Sequence, residues 1–468
     1  MTALIWKDLR HHARQWVWSL CVTTTGAVFI GVIIVSWSSA LEWSAAQADP
    51  GEYTTAAHVL GSNLVNYVGL AIAAVVSSTL SLTVTAQARA HAMWKIIGIP
   101  AYSIRRIIMS QVAVVGALGG LLGGALSPLA TRWYLLTWQE FDLYPSDMPV
   151  VMPAFTLPLT VVLTAAFSLL GGLGAARRAA ATPEMQALRE AAAPVARTRI
   201  WQWVVAGILL IGVVSVTLSA LIDPTAEELS RLDPEAAAEL AEMQAAGGTG
   251  ADAAGVAVIM LLMAALCVPA WTLRPLQAAW TALVPGRSPA WFAARANALH
   301  RSAISLTTVV PFAICVGMTG TIFSVDGAFR AASGSGGVSG FGAVAVPIFI
   351  IAGIGGVANI AMVGSSRRQE GALLGVIGAD HRTQMLTTIL EGTIYAVTGI
   401  LTGLIATTAS ACMAALISGG GGAMLRAAMP VGALAPVIVA VLVLSITTTW
   451  LPAQVDRRPV MDRLRQPV

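Results

Sequence analysis

Ten stretches of apolar residues recur along this chain, centred approximately on 18–38, 62–84, 108–130, 152–173, 201–221, 253–271, 303–325, 341–363, 384–414 and 429–451. A helix needs about 20 such residues to cross the hydrocarbon core of a bilayer, and no stretch the size of a soluble domain is left between them. The charge content excludes a water-soluble alternative. Only 11% of the 468 residues are charged, against roughly 25% in a soluble domain, and the mean hydropathy is +0.76. The expected fold class is an all-α polytopic membrane protein, because a span in lipid must satisfy its own backbone hydrogen bonds.

Basic residues set the orientation. With the N-terminus placed in the cytoplasm, all but four of the 27 Lys and Arg fall on inside segments; Arg132, Arg231, Arg330 and Arg426 are the exceptions, each alone in its outside segment. The first two outside loops are acidic instead, with Glu42, Asp49, Glu52, Glu140, Asp142 and Asp147. Both termini are therefore expected in the cytoplasm. The pI near 9.1 reflects juxtamembrane charge facing anionic headgroups. It does not require nucleic acid, since no basic domain with interleaved aromatics is present. The basic start, apolar run and Ser44-Ala45-Ala46-Gln47-Ala48 imitate a signal peptide, but the run is longer than a signal's apolar region. The first span is expected to stay in the membrane.

The chain also repeats itself. Gln87-Ala-Arg-Ala-His-Ala-Met-Trp-Lys-Ile-Ile-Gly98 follows the second span, and Arg367-Arg-Gln-Glu-Gly-Ala-Leu-Leu-Gly-Val-Ile-Gly378 follows the eighth. With Gly98 laid on Gly378, a gapless continuation sets Gln111 on Glu391, Gly119 on Gly399 and Gly123 on Gly403. Arg177-Arg178 before Pro183-x4-Leu188-Arg189 recurs as Arg457-Arg458 before Pro459-x4-Leu464-Arg465. Residues 1–190 and 288–468 thus read as two four-helix units, joined by spans five and six within 191–287. An even number of helices separates the units, so they run in the same direction, about an axis along the membrane normal, and are not inverted.

This pattern resembles the FtsX-like permease family in its ten-span, two-copy form, over about 1–190 and 290–468. The second copy carries the hallmarks as Arg367, Arg368, Glu370, Gly378, Glu391, Pro459 and Arg465; the first has Ala90 and Gln111 in place of the two carboxylates. The resemblance implies a bacterial plasma-membrane permease of an ABC transporter that couples hydrolysis by a separate cytoplasmic ATPase to export or extraction of an amphipathic peptide, drug or lipid. It implies two ATPase copies per chain, with ATP and magnesium on the ATPase. Arg89, Trp94, Lys95 and Gly98, with Arg367, Arg368, Glu370, Leu373, Leu374 and Gly378, are then the coupling residues. The sequence agrees that the nucleotide site lies elsewhere: a Walker A loop needs a Gly-rich turn before its Lys, and Lys7 and Lys95, the only two lysines, lack one. No catalytic residue is expected on this chain. An ordinary juxtamembrane helix would also satisfy the residues of 87–106 and 366–383.

The alternative within the family is a mechanotransmitting subunit that activates an extracytoplasmic cell-wall hydrolase without transport. It favours a sizeable outside domain, whereas the first outside loop here is read as about 23 residues. The outside stretch 222–252 holds eight acidic residues against Arg231, which suits a solvated helix or a docking site for an extracytoplasmic protein. A proton-coupled secondary transporter would call for charges in both halves, and Glu391 is the one carboxylate read inside a span; pairing with Arg367, Arg368 or Arg382 is its expected role. Four scattered Cys and six scattered His give no metal spacing. Gly119/Gly123 and Gly399/Gly403 are expected at close helix contacts.

Overall fold

The computed structural model describes residues 10, 13–47, 50–140, 148–181, 198, 200–222, 248–286, 288–333, 341–366, 378, 380–417 and 421–455, and among these every regular element is a helix. The helices are α1 (Ala13–Ala45), α2 (Pro50–Ala86), α3 (Ala88–Ile96), α4 (Ala101–Glu140), α5 (Thr156–Ala181), α6 (Ile200–Ile222), α7 (Gly248–Cys267), α8 (Pro269–Leu283), α9 (Pro289–His300), α10 (Ser302–Ser333), α11 (Phe341–Ser366), α12 (His381–Ile417), α13 (Gly421–Ala428) and α14 (Val431–Val455).

Among the described residues nine helices are long and apolar enough to cross a membrane, and a tenth crossing exists only if α7 and α8 count as one broken span. This corrects the expected uninterrupted sixth span. The two helices meet at 87°, and Pro269 is the cause. Its nitrogen carries no hydrogen, so the Ala265 carbonyl loses its helical donor. The Thr272 hydroxyl takes that place, donating to Ala265 O at 2.7 Å.

The same device recurs at two other internal prolines. In α4, Pro128 frees the Gly124 carbonyl, which accepts from the Ser127 hydroxyl at 2.8 Å. In α10, Pro311 frees the Thr307 carbonyl, and there the donor comes from another helix: Asn359 Nδ2 of α11 at 3.2 Å. Within a bilayer such replacement donors are what make helix-internal proline tolerable.

Helices α2, α4 and α12 run for 37, 40 and 37 residues. At about 1.5 Å per residue they reach well past a hydrocarbon core of about 30 Å. Helices α1 and α2 pack on each other as a hairpin. Trp37 meets His58 edge-on at 5.8 Å and Trp43 meets Tyr53 at 5.4 Å across it.

Helix α1 packs on α2, α4 and α5, and α4 packs on α5; likewise α10 packs on α11, α12 and α14, and α12 on α14. The two groups join through α2 against α11, with α2 also touching α10 and α11 touching α1. Helix α6 lies outside, its Ile208, Ile211 and Val214 exposed. Helix α7 is not peripheral as expected: Ala257, Val258 and Ile259 are buried, and it packs on α10 and α12 as well as α6.

Glycines set the tightest contacts. A Cβ at Gly119 would lie 2.4 Å from Thr23 Oγ1, and one at Gly123 2.5 Å from the Thr24 carbonyl, both on α1. One at Gly399 would lie 3.0 Å from the Ala313 nitrogen, and one at Gly403 2.7 Å from the Gly317 nitrogen, both on α10. The close-packing role expected for all four positions is what the structure contains.

Candidate functional site

The first candidate coupling segment is a nine-residue helix, α3, that touches the ends of α2, α4 and α5. Its end is a Schellman turn. Gly98 N–H donates to Lys95 O at 2.9 Å, Ile99 N–H donates to Trp94 O at 3.0 Å, and Gly98 has φ +94°. Only glycine enters that left-handed conformation freely, and Pro100 then bars any continuation into α4. Gly378, the residue matched to Gly98, has φ +96° and precedes α12 by three residues.

The side chains of α3 divide into two faces. Trp94 is half-buried, edge-on to the buried His91 at 5.3 Å and packed on the main core. Lys95 is also half-buried. Met93, Ile96 and Ile97 are exposed, at 49%, 55% and 76%, and Tyr102 beside them carries the Arg106 guanidinium over its ring at 5.8 Å. Trp94 therefore anchors α3, and the apolar surface it presents consists of Met93, Ile96 and Ile97. The sequence pointed to Trp94 on this helix and not to those three. The side chain of Arg89, and residues Arg367, Arg368, Glu370, Leu373 and Leu374, lie outside the described residues; so do Pro459 and Arg465.

Glu391 is 1% exposed in the third turn of α12 and accepts a hydrogen bond from the Tyr395 hydroxyl one turn on. Arg382, one of its expected partners, is exposed. Gln111, matched to Glu391 in the first half, is also fully buried. A second carboxylate lies within an apolar helix: α10 extends past residue 325, so Asp326, 3% exposed, falls inside it and pairs with Arg330. The sequence reading ended that span at 325, whereas the apolar helix runs on to Ala331.

A polar seam joins the halves. Asn359, fully buried, donates to Thr307 O and to the Ser78 hydroxyl at 3.3 Å, tying α11 to α10 and α2. Thr83 lies 2.6 Å from Ser19 Oγ and donates to Met362 Sδ at 3.3 Å. Polar contacts of this kind between apolar helices fix their register, because an unpaired partner in hydrocarbon is costly.

The segment after the α7–α8 bend forms two short helices absent from the sequence reading. Buried Gln277 exchanges hydrogen bonds with Ser305 at 3.0 and 3.1 Å, Trp280 Nε1 donates to Thr398 at 3.0 Å, and Arg295 Nε donates to Thr281 at 3.3 Å. The signal for them was present: Pro269 and Pro289 each occupy a first helical turn, and the Ser288 hydroxyl caps α9 by accepting from the Trp291 N–H. Proline just inside a helix start after a capping serine is a start signal, masked here by the apolar surroundings. Neither a family model nor a curated protein matches this chain.

Proposed function

We propose that this chain is the membrane subunit of an ATP-driven transporter of the FtsX-like kind, in the bacterial plasma membrane, moving an amphipathic substrate with energy from separate ATPase subunits. Its two halves are parallel repeats, α1, α2, α4 and α5 matching α10, α11, α12 and α14, with both termini cytoplasmic. In this orientation α3, α8 and α9 lie at the cytoplasmic side, and the α1–α2 hairpin and α13 lie outside.

One observation carries the reading. The register that matches Gly98 to Gly378 pairs two glycines of nearly equal left-handed φ, and it also pairs Gly119/Gly123, which pack α4 on α1, with Gly399/Gly403, which pack α12 on α10. Two halves with a glycine-terminated segment at the same end of the bundle offer two equivalent contact points to a dimeric partner. Conformational work done there has a route inward, since α3 abuts α2, and α2 forms the seam with α11.

The test is partnership. The chain should co-purify with two copies of an ATPase and should neither bind nor hydrolyse ATP alone. Ile96→Asp with Ile97→Asp should break the complex, because an unpaired charge buried in a groove costs several kcal/mol; Leu373→Asp with Leu374→Asp should do the same in the second half. Full complex formation and full ATPase coupling in both double variants would refute the coupling role. ATP hydrolysis by the isolated chain would refute the division of labour.

A further inference from the structure

The two halves differ in how their third and fourth spanning helices meet. In α4 the residues Gly116, Gly120 and Gly124 form one stripe facing α5. A Cβ at these positions would come within 2.7 Å of Ser168 Oγ, 2.7 Å of Val161 Cα and 2.8 Å of Leu157 Cδ1, respectively. The seam is closed at backbone distance. In the matched register the same stripe of α12 reads Ala396, Ile400 and Leu404. Toward the start of α12 the second seam is tight too: Gly392 O accepts from the Ser445 hydroxyl of α14 at 2.9 Å. Toward the other end the larger side chains hold α14 away. A crevice of about 180 Å³ opens there, lined by Leu404, Thr407, Met429, Val431, Leu434 and Ile438 among others.

The lining selects the occupant. Thr407 and Thr408 spend their hydroxyls on the α12 carbonyls of Gly403, Leu404 and Ile405, so the crevice offers apolar surface and no free donor. It lies within helices long and apolar enough to cross a membrane, and Val439 and Val443 on α14 are exposed. An enclosed apolar cavity of about 150 Å³ is enough to bind benzene, and this one is only partly enclosed, which admits a chain. Three residues before Met429, on α13, stands exposed Arg426, which donates to its own Gly422 carbonyl. It is one of only four basic residues on the side read as outside.

We infer that the α12–α14 crevice, with Arg426 three residues before its lining residue Met429, is a binding site for an anionic amphiphile, one acyl chain in the crevice and its headgroup at the guanidinium. The inference rests on the reading of the chain as a transporter of amphipathic compounds and narrows that class to acylated anions entering from the outer leaflet on the second half only. In the first half the glycine stripe brings α4 and α5 together at the matched positions.

The test uses the purified chain in phosphatidylcholine vesicles carrying a trace of phosphatidylglycerol with a photoreactive group on its acyl chain. Cross-links should concentrate in peptides covering 404–408 and 429–438, several-fold above the lipid-facing α6. Ala435→Phe, which fills the crevice, and Leu404→Ala, which removes the side chain that holds α14 away, should each cut that labelling several-fold. Arg426→Gln should keep labelling by photoreactive phosphatidylcholine and abolish the excess for phosphatidylglycerol. Labelling spread evenly over α6 and α14, or unchanged in both crevice variants, overturns the site. An equal yield from the two lipids in the unaltered chain overturns the role of Arg426. None of these measurements needs the ATPase, so a chain that labels as expected yet binds no ATPase keeps the site and loses the transporter reading.

Discussion

Replacing Gly123 and Gly403 by alanine, one at a time, tests whether the two halves are held by equivalent backbone contacts. The added methyl at Gly123 would sit 2.4 Å from Ala27 Cβ, 2.5 Å from Thr24 O and 2.8 Å from Val28 N; at Gly403 it would sit 2.6 Å from Val316 Cβ and 2.7 Å from Gly317 N. Ordinary contact between carbon atoms is about 3.5–4.0 Å, so each helix pair must part by about 1 Å, enough to forfeit a quarter to a half of the dispersion energy of the atoms around it. The obstructing atoms are backbone or Cβ, and no rotamer change moves them aside. Overpacking of this kind costs about 1–3 kcal/mol. Gly207 in α6 is the control: a Cβ there meets nothing within 4 Å, and alanine should stabilise that helix by about 0.5–1 kcal/mol. The assay is thermal unfolding of the purified variants in detergent, followed by fluorescence of the 14 tryptophans. Both seam variants should unfold earlier than the parent and by similar amounts, while Gly207→Ala should unfold no earlier. Seam variants as stable as the Gly207 control would refute the packing argument, and a large penalty in one half with none in the other would refute the equivalence.

Two further outcomes follow from the buried polar groups. Asn359→Leu removes the Nδ2 donor to the Thr307 carbonyl that Pro311 leaves without its helical bond; it should cost about 1–2 kcal/mol and weaken cross-linking between cysteines placed on α2 and α11, whereas parent-like stability would show that the seam does not depend on it. Glu391→Gln keeps an acceptor for the Tyr395 hydroxyl and should retain stability and transport, while Glu391→Leu should lose about 1–3 kcal/mol by leaving a buried hydroxyl without its acceptor. Transport abolished in a stable Glu391→Gln variant would instead mark the carboxylate as a proton-handling group.

Much of this architecture was written in one dimension. An apolar stretch of spanning length has one solution in lipid, a helix, so nine crossings were legible from hydropathy alone. The positions of Gly98, Gly119, Gly123, Gly378, Gly399 and Gly403 were legible as well, because a left-handed turn and a backbone-distance helix contact both exclude a side chain, and the repeat register marked them twice. What the sequence could not decide depended on partners far along the chain. Pro269 is compatible with either a kinked crossing or a right-angled elbow, and the choice fell to Thr272 capping the freed carbonyl and to Gln277 and Trp280 finding Ser305 and Thr398. The length of α10, and with it the burial of Asp326, was set by packing against α12 and α13, since a helix already covered by neighbours need not stop where its apolar run stops. Trp94 and Ile97 are both apolar, and only the fold turned the first toward the core and the second outward. The crevice is the clearest case: Gly124 and Leu404 are plain in the sequence, but whether the larger residue fills a seam or props it open depends on where α14 comes to rest, which only the tertiary packing fixes.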